Sequence, residues 1–318
     1  MIGMRFPVLL FLSGLALLAE VASPSFAFLP DGRVTLSCAT PGALIRYTFE
    51  DRDPDRSAGV YLAPVEVFAG KSIRARAFSA DGAEQSLSTL VTGRGAPSTL
   101  IAVTQNRDWR SYDWVKRHES IVELMRNRKP DLVFLGDSIT HFWGGEPADA
   151  RLRGPEVWSK YYGARNAVNI GYGWDRTENV LWRLRNGEID GIAPKTAVVM
   201  IGTNNAGINT VEEIAAGIGA ICDELYIRLP RTKILLLGIF PRGPKPDAMR
   251  LKVAAINILI SGLDGKKNVS YLDIGQVFVE SDGSISKEIM NDYLHPTAAG
   301  YERWAAAMEP VLKKLLGE

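Results

Sequence analysis

Leu132-Val133-Phe134-Leu135-Gly136-Asp137-Ser138-Ile139-Thr140 joins an apolar run without polar alternation to a turn that presents a serine. A strand with one wet face alternates apolar and polar residues, so an unbroken run reads as a strand covered on both faces. Four more such runs follow: Ala167 to Ile170, Ala197 to Ile201, Ile234 to Ile239 and Val269 to Ile274. Between them lie helical patterns at about Tyr112 to Arg128, Thr177 to Arg185, Val211 to Leu229, Asp247 to Leu263 and Ala298 to Leu316. Buried strands alternating with amphipathic helices predict an α/β fold with a five-stranded parallel sheet wrapped on both faces. Such sheets bind ligands at the carboxyl ends of their strands, which is where the chemistry is expected.

The first strand end supplies Ser138 at the entry to a helix, whose N-terminus would stabilise developing negative charge. A Gly-Asp-Ser turn is also an ordinary N-cap, and it is not the Gly-x-Ser-x-Gly of a nucleophile elbow. A serine nucleophile needs a base, and the chain has three histidines. His118 falls in a polar helix and is expected on a solvated face. His141 follows Ser138 by three residues and is expected at the rim, with no carboxylate near in sequence to orient it. His295 closes Asp292-Tyr293-Leu294-His295, a spacing that lets the acid hold one ring nitrogen while the other faces the serine.

Acyl transfer also needs hydrogen-bond donors aimed at an oxyanion. The second strand ends in Gly171-Tyr172-Gly173-Trp174-Asp175 and the third in Gly202-Thr203-Asn204-Asn205, which offer backbone N–H groups and a side-chain amide. Each is by itself a plain glycine turn or Asx-turn. Together they place four reactive features at successive ends of one sheet.

Gly136-Asp137-Ser138, the Gly173-Trp174 loop, Gly202-Thr203-Asn204-Asn205 and Asp292-Tyr293-Leu294-His295 resemble, in order, the four motif blocks of the GDSL/SGNH hydrolases. Asp175 to Leu184, Leu237 to Gly243 and Ser281 to Ser286 resemble the branch holding the catalytic subunits of platelet-activating-factor acetylhydrolase. The resemblance runs from Asp131 to the C-terminus and implies a flavodoxin-like three-layer sandwich. It implies Ser138 as nucleophile, His295 as base and Asp292 as its orienter. It also implies an oxyanion hole made of the Ser138 N–H, the N–H of Gly173 or Trp174, and the Asn204 side chain. The family's second block has glycine directly before the aspartate, where this chain has Trp174. An indole at the mouth offers a flat apolar face for a sugar ring, and Trp143, Tyr172 and Tyr293 are expected to extend that surface.

Upstream of the sheet, Phe28 to Gly95 alternates in short runs divided by turn clusters such as Pro30-Asp31-Gly32 and Asp81-Gly82, which predicts a small antiparallel sandwich. Ala39 to Thr48 and Ser72 to Ala77 resemble the chitobiase/β-hexosaminidase C-terminal type of module, often attached to extracellular carbohydrate-active enzymes. Gly93 to Ser98 reads as a linker, giving expected domains at 28–95 and 96–318. Phe6 to Leu18 is an apolar run after Arg5, and Ser25-Phe26-Ala27 is a small-x-small site, so 1–27 is expected to be an export signal rather than a membrane span.

Lys plus Arg total 37 against 36 for Asp plus Glu, a net charge of +1, so no basic field draws the chain to nucleic acid or anionic membrane. Two cysteines are too few for a disulfide framework. Gly171-x-Gly173-x-x-Arg176 fails the dinucleotide fingerprint at its third glycine, and Asp51-Arg52-Asp53-Pro54-Asp55-Arg56 has arginine where a calcium loop needs its turn glycine. No cofactor and no metal are expected. The expected activity is a secreted or periplasmic serine esterase removing acetyl groups from carbohydrate, such as acetylated xylan or oligosaccharides. The alternatives are an esterase of the platelet-activating-factor-acetylhydrolase or lysophospholipase kind acting on lipid-like esters, and a non-catalytic carbohydrate-binding protein. The oligomeric state stays open.

Overall fold

Alternation shapes the N-terminal unit, which ends at Gly95. Strands β1 (Ser25–Phe28) and β2 (Val34–Ser37) pair antiparallel, and β3 (Leu44–Thr48), β4 (Gly59–Val60), β5 (Ser72–Phe78) and β6 (Thr89–Thr92) form a second antiparallel sheet in the order β4-β3-β5-β6. In β5, Ile73, Ala75 and Ala77 are buried while Arg74 and Arg76 lie between them on the other face, the period of two that one-sided burial demands. The inward residues meet Val34, Leu36, Val65, Val67 and Val91 in a small core. Asp53 pairs with Arg76 of β5.

The structure is a computed structural model that describes residues 21–49, 52–69 and 71–318. The apolar run Phe6 to Leu18 therefore lies outside the described residues. The described residues before the expected cut after Ala27 are packed. Ser25 to Ala27 are strand β1, Val21 is buried in the same core, and the Ala22 N–H donates to Thr40 Oγ1 at 2.8 Å. Small residues flanking Phe26 satisfy a strand as well as a cleavage site, and here strand pairing uses them.

The second unit, from Ala96 on, is doubly wound. Its elements are α1 (Trp114–Arg128), β7 (Leu132–Gly136), α2 (Ser138–His141), α3 (Pro155–Tyr162), β8 (Ala167–Gly171), α4 (Thr177–Arg185), β9 (Thr196–Met200), α5 (Val211–Arg228), β10 (Lys233–Leu237), α6 (Ala248–Ser261), β11 (Val269–Leu272) and α7 (Ala298–Leu316). The five strands are parallel in the order β8-β7-β9-β10-β11, the flavodoxin-like sequence with a switch point beside the first strand. Successive residues of β7 serve opposite layers: Val133 and Leu135 face the core under α4, α5 and α6, while Leu132 and Phe134 face the core under α3 and α7. Each such side chain contributes roughly 1.5–3 kcal/mol by leaving water. The helix starts shift where a cap decides: α1 begins at Trp114 because Asp113 accepts the Lys116 N–H, and α6 begins after Asp247, which accepts from Arg250. Helix α3 has no counterpart in the apolar periodicity, although Gly154-Pro155-Glu156 carries a proline at its first turn and an acid beside it. Among the described residues no helix is long and apolar enough to cross a membrane.

Candidate active site

Strand β7 hands the chain to α2 through a turn that only glycine fits. A Cβ on Gly136 would lie 2.2 Å from Thr140 Oγ1 and 2.5 Å from Met200 O. Asp137 then caps α2, its Oδ1 accepting the Ile139 N–H at 2.9 Å. Burial pushes the Asp137 carboxyl up to about 7, with the negative charge of Asp175 acting the same way against the Ile139 N–H and Arg242. Helix α2 is a single turn, so it offers Ser138 a backbone N–H more than a macrodipole.

Ser138 and His295 meet across the sheet end. Ser138 Oγ lies 2.8 Å from His295 Nε2, and His295 Nδ1 lies 2.8 Å from Asp292 Oδ2. The other carboxylate oxygen, Oδ1, accepts the N–H groups of Leu294 (3.1 Å) and His295 (2.8 Å), so one aspartate fixes both the turn and the ring. Tyr293 takes φ +58° to make that turn, and its half-buried ring sits under Lys287. Burial works to raise the Asp292 carboxyl, but the His295 N–H and ring together override it and hold it at about 2. Burial moves His295 the other way, below an ordinary imidazole, and the Arg153 and Arg242 charges add to that against the pull of Asp292. Arg153 also reaches Asp292 Oδ2 at 3.3 Å and Asn291 Oδ1 at 2.8 Å.

The end of β8 runs hard against α2. A Cβ on Gly171 would stand 2.4 Å from the His141 backbone nitrogen, and Asn169 Nδ2 donates to the Thr140 and Gly144 carbonyls at 2.8 and 2.7 Å. Beyond Gly171 the Tyr172 N–H donates to the Gly136 carbonyl at 3.1 Å. Trp174 adopts φ +66°, the left-handed region, which costs a non-glycine residue roughly 1–3 kcal/mol and explains the family's glycine at this place. Arg107 Nη2 holds the Trp174 carbonyl at 3.0 Å, and Asn204 Nδ2 holds the Asp175 carbonyl at 2.9 Å. The second Asn204 amide hydrogen and the N–H groups of Ser138 and Trp174 find no acceptor among the described residues.

Several expected roles change. Gly173 is not an oxyanion donor, because its N–H donates to His141 Nδ1 at 3.0 Å, which leaves Trp174. Trp143 and Tyr172 are fully buried and line no surface. Trp143 packs among Phe134, Trp158, Tyr301 and Trp304, and the Tyr172 hydroxyl donates to Glu188 at 2.6 Å. Trp174 keeps the exposed position, with about half its surface open at 52%. His118 is buried rather than solvated, stacked on Trp114 with Nε2 3.0 Å from Asn186 O. His141 is buried as well and does face a carboxylate, Asp149 Oδ2 at 3.1 Å.

Behind the loop lies an ionic cluster that sequence spacing alone does not reveal. Arg183 donates through Nε to Asp175 Oδ2 at 2.8 Å and through Nη1 to Glu188, all three side chains being fully buried. Trp114 Nε1 (2.7 Å) and Gln105 Nε2 (3.2 Å) complete the shell of Asp175 Oδ1. Burial pushes the Asp175 carboxyl up and the Arg183 charge opposes it. The one signal in the sequence is an Asp and an Arg eight residues apart across a helix start, too common to single out.

This geometry agrees with what the chain is similar to. Residues 134–303 match the model of the GDSL-like lipase/acylhydrolase family, and residues 34–91, read above as a sandwich module, match the model described as Fn3 associated. The chain is 40% identical over 206 residues to the alpha2 subunit of platelet-activating factor acetylhydrolase IB from Rattus norvegicus, covering 64% of this chain and 86% of that protein. It is 36% identical over 206 residues to the alpha1 subunit from Homo sapiens, covering 64% and 85%. A solved GDSL-like lipase from Bacteroides thetaiotaomicron shares the fold with a TM-score of 0.51 at 17% identity, over 63% of this chain and 97% of that one. With the fold, the family model over more than half its length and relatives at this identity, the chain belongs to the GDSL-like lipase/acylhydrolase family and is a hydrolase acting on esters.

Proposed function

We propose that this protein is an exported acetylesterase acting on acetylated carbohydrate, with Ser138 as nucleophile. The observation that carries the catalytic part is the continuous hydrogen-bonded line Asp292–His295–Ser138 at 2.8 Å per step. Ser138 Oγ attacks the ester carbonyl carbon as its proton passes to His295 Nε2. Asp292 holds Nδ1 and stabilises the imidazolium. The oxyanion is received by the N–H groups of Ser138 and Trp174 and the free Asn204 amide hydrogen. The tetrahedral intermediate expels the alcohol, which takes the proton from His295, and water then cleaves the acyl-enzyme by the same route to release the acid.

Acetyl as the acyl group is supported by the relatives named acetylhydrolases. Carbohydrate as the alcohol is supported by the exposed Trp174 indole beside the donor set, a face suited to a sugar ring, and by the N-terminal sandwich unit. Export is supported by the apolar run Phe6 to Leu18 after Arg5. The identity to the acetylhydrolase subunits favours one second reading, acetyl removal from an ether phospholipid. Acetate release from acetylated xylan and from 2-acetyl ether phospholipid, each beside a Ser138→Ala blank, tests the two. Serine-dependent release from xylan and none from lipid is expected; the reverse result discards the sugar.

The base sets the pH profile. The neutral ring is the active form, so kcat/KM falls as pH drops through the His295 pKa, which burial and two arginines hold below an ordinary imidazole. The acid limb of kcat/KM on p-nitrophenyl acetate is expected to have its midpoint below the roughly 6.5 of a free histidine. A midpoint above 7 would contradict this electrostatic account.

A further inference from the structure

Gly173 is the hinge of the oxyanion loop. A glycine has no preferred sign of φ, so the peptide that follows it swings freely unless its hydrogen bonds pin it. Here three do. The Gly173 carbonyl accepts from Tyr112 Oη at 2.8 Å and Gln105 Nε2 at 3.0 Å, and the Gly173 N–H donates to His141 Nδ1 at 3.0 Å. A trans peptide is planar with its C=O and N–H opposed, so a Gly173 carbonyl turned toward Tyr112 and Gln105 turns the Trp174 N–H the other way.

The His141 contact carries chemical information. To accept the Gly173 N–H, Nδ1 must be unprotonated, so the proton sits on Nε2, which faces Asp149 Oδ2 at 3.1 Å, off the line of a full hydrogen bond. Asp149 cannot turn away. Its Oδ1 accepts the Arg151 N–H (2.9 Å) and Nε (2.8 Å), its Oδ2 accepts Arg151 Nη2 (2.9 Å), and Arg151 is itself tied to Asp108 Oδ2 at 2.9 Å. Tyr112 packs edge-on against the His141 ring, so both grips on Gly173 share one wall.

We propose that His141, kept in its Nε2–H tautomer by Asp149 and Arg151, is a positioning residue that locks Gly173 and so aims the Trp174 N–H at the oxyanion. This rests on the reading that Trp174 donates to that oxyanion. His141 touches no reacting atom, and it acts only through the loop. Burial holds its ring well on the neutral side, at about 4, consistent with one permanent acceptor nitrogen.

Three variants test the proposal with p-nitrophenyl acetate. His141→Leu fills the space without an acceptor and is expected to lower kcat by about 10²-fold, near the loss of an oxyanion donor, with KM held within about threefold. His141→Asn places an Oδ1 acceptor where Nδ1 stood and is expected to recover at least about tenfold of that loss. Asp149→Asn keeps its oxygen on the two Arg151 donors and so turns its NH2 toward His141. That forces the proton to Nδ1 against the Gly173 N–H, and kcat is expected to fall by more than about tenfold, the logic of a wrong histidine tautomer. Equal impairment in the Leu and Asn variants, or near-normal kcat in a folded Leu variant, overturns the proposal. Should the Leu variant fail to fold, Asp149→Asn decides: unchanged kcat overturns it. Ser138→Ala run in parallel separates the two layers, because an active Ser138→Ala protein defeats the catalytic reading itself, while an inactive one beside normal His141 and Asp149 variants defeats only the positioning role.

Discussion

Ser138→Ala is expected to lower kcat by about 10⁴–10⁶-fold, with the protein as stable as the parent. The exchange removes one oxygen whose hydrogen bond is to His295 Nε2, at the start of a single helical turn where alanine is well tolerated. The backbone N–H of residue 138 stays in place, and so do Trp174 and Asn204, so the variant keeps its donors and binds ester without attacking it. His295→Ala is expected to cost a similar factor, since a serine without a base stays protonated. The double variant should fall little further than either single one, because nucleophile and base work in one step and their losses do not add. Turnover on p-nitrophenyl acetate and thermal unfolding are the measurements. A folded Ser138→Ala protein within about tenfold of normal kcat would remove Ser138 from the mechanism, and additive losses in the double variant would mean that the two residues serve separate steps.

The sheet and the triad are legible in the sequence for one physical reason: each is written by local pattern. Leu132 to Leu135 must be apolar throughout because α-helices cover both faces of β7, and Asp292 to His295 lie within one turn, so their spacing is their geometry. Contacts that depend on how distant segments approach are not legible. Trp143 and Tyr172 lie near site residues in sequence yet point into the core, Trp143 just past the end of α2 and Tyr172 just past the end of β8, where the side chain's direction is set by the distant segments it packs against. His141 lacks a carboxylate near in sequence but meets Asp149, delivered by a loop whose course no periodicity records. The left-handed Trp174 shows both sides of this. Its departure from glycine is plain in the sequence, while the means of tolerating it, Arg107 on its carbonyl, comes from a segment 67 residues upstream.

The Arg183 cluster is the least legible element, and its removal should have the largest effect on stability. Arg183→Met leaves Asp175 and Glu188 buried without their common cation, and stripping one member from a buried ion pair costs about 3–5 kcal/mol. For a unit of this size that is a fall in Tm of about 6–20 °C. The loss depends on pH with a definite sign. Without Arg183 the Asp175 carboxyl, already pushed up by burial, rises further above its unfolded value. Stability from a group raised in the folded state is present below its unfolded pKa and disappears as pH climbs through the folded one. The Tm gap to the parent is therefore expected to be widest near pH 8 and to narrow toward pH 5, where a protonated carboxyl needs no cation. Arg183→Lys should recover only part of the gap, because one ammonium cannot reach Asp175, Glu188 and the Ile170 carbonyl as the guanidinium fork does. Activity should fall with stability, since Asp175 anchors the loop through its side chain and holds Asn204 through its carbonyl. A Tm within about 2 °C of the parent at pH 8 would mean that water or rearrangement replaces the cation, and a gap that widens on acidification would reverse the assignment of which state holds the proton.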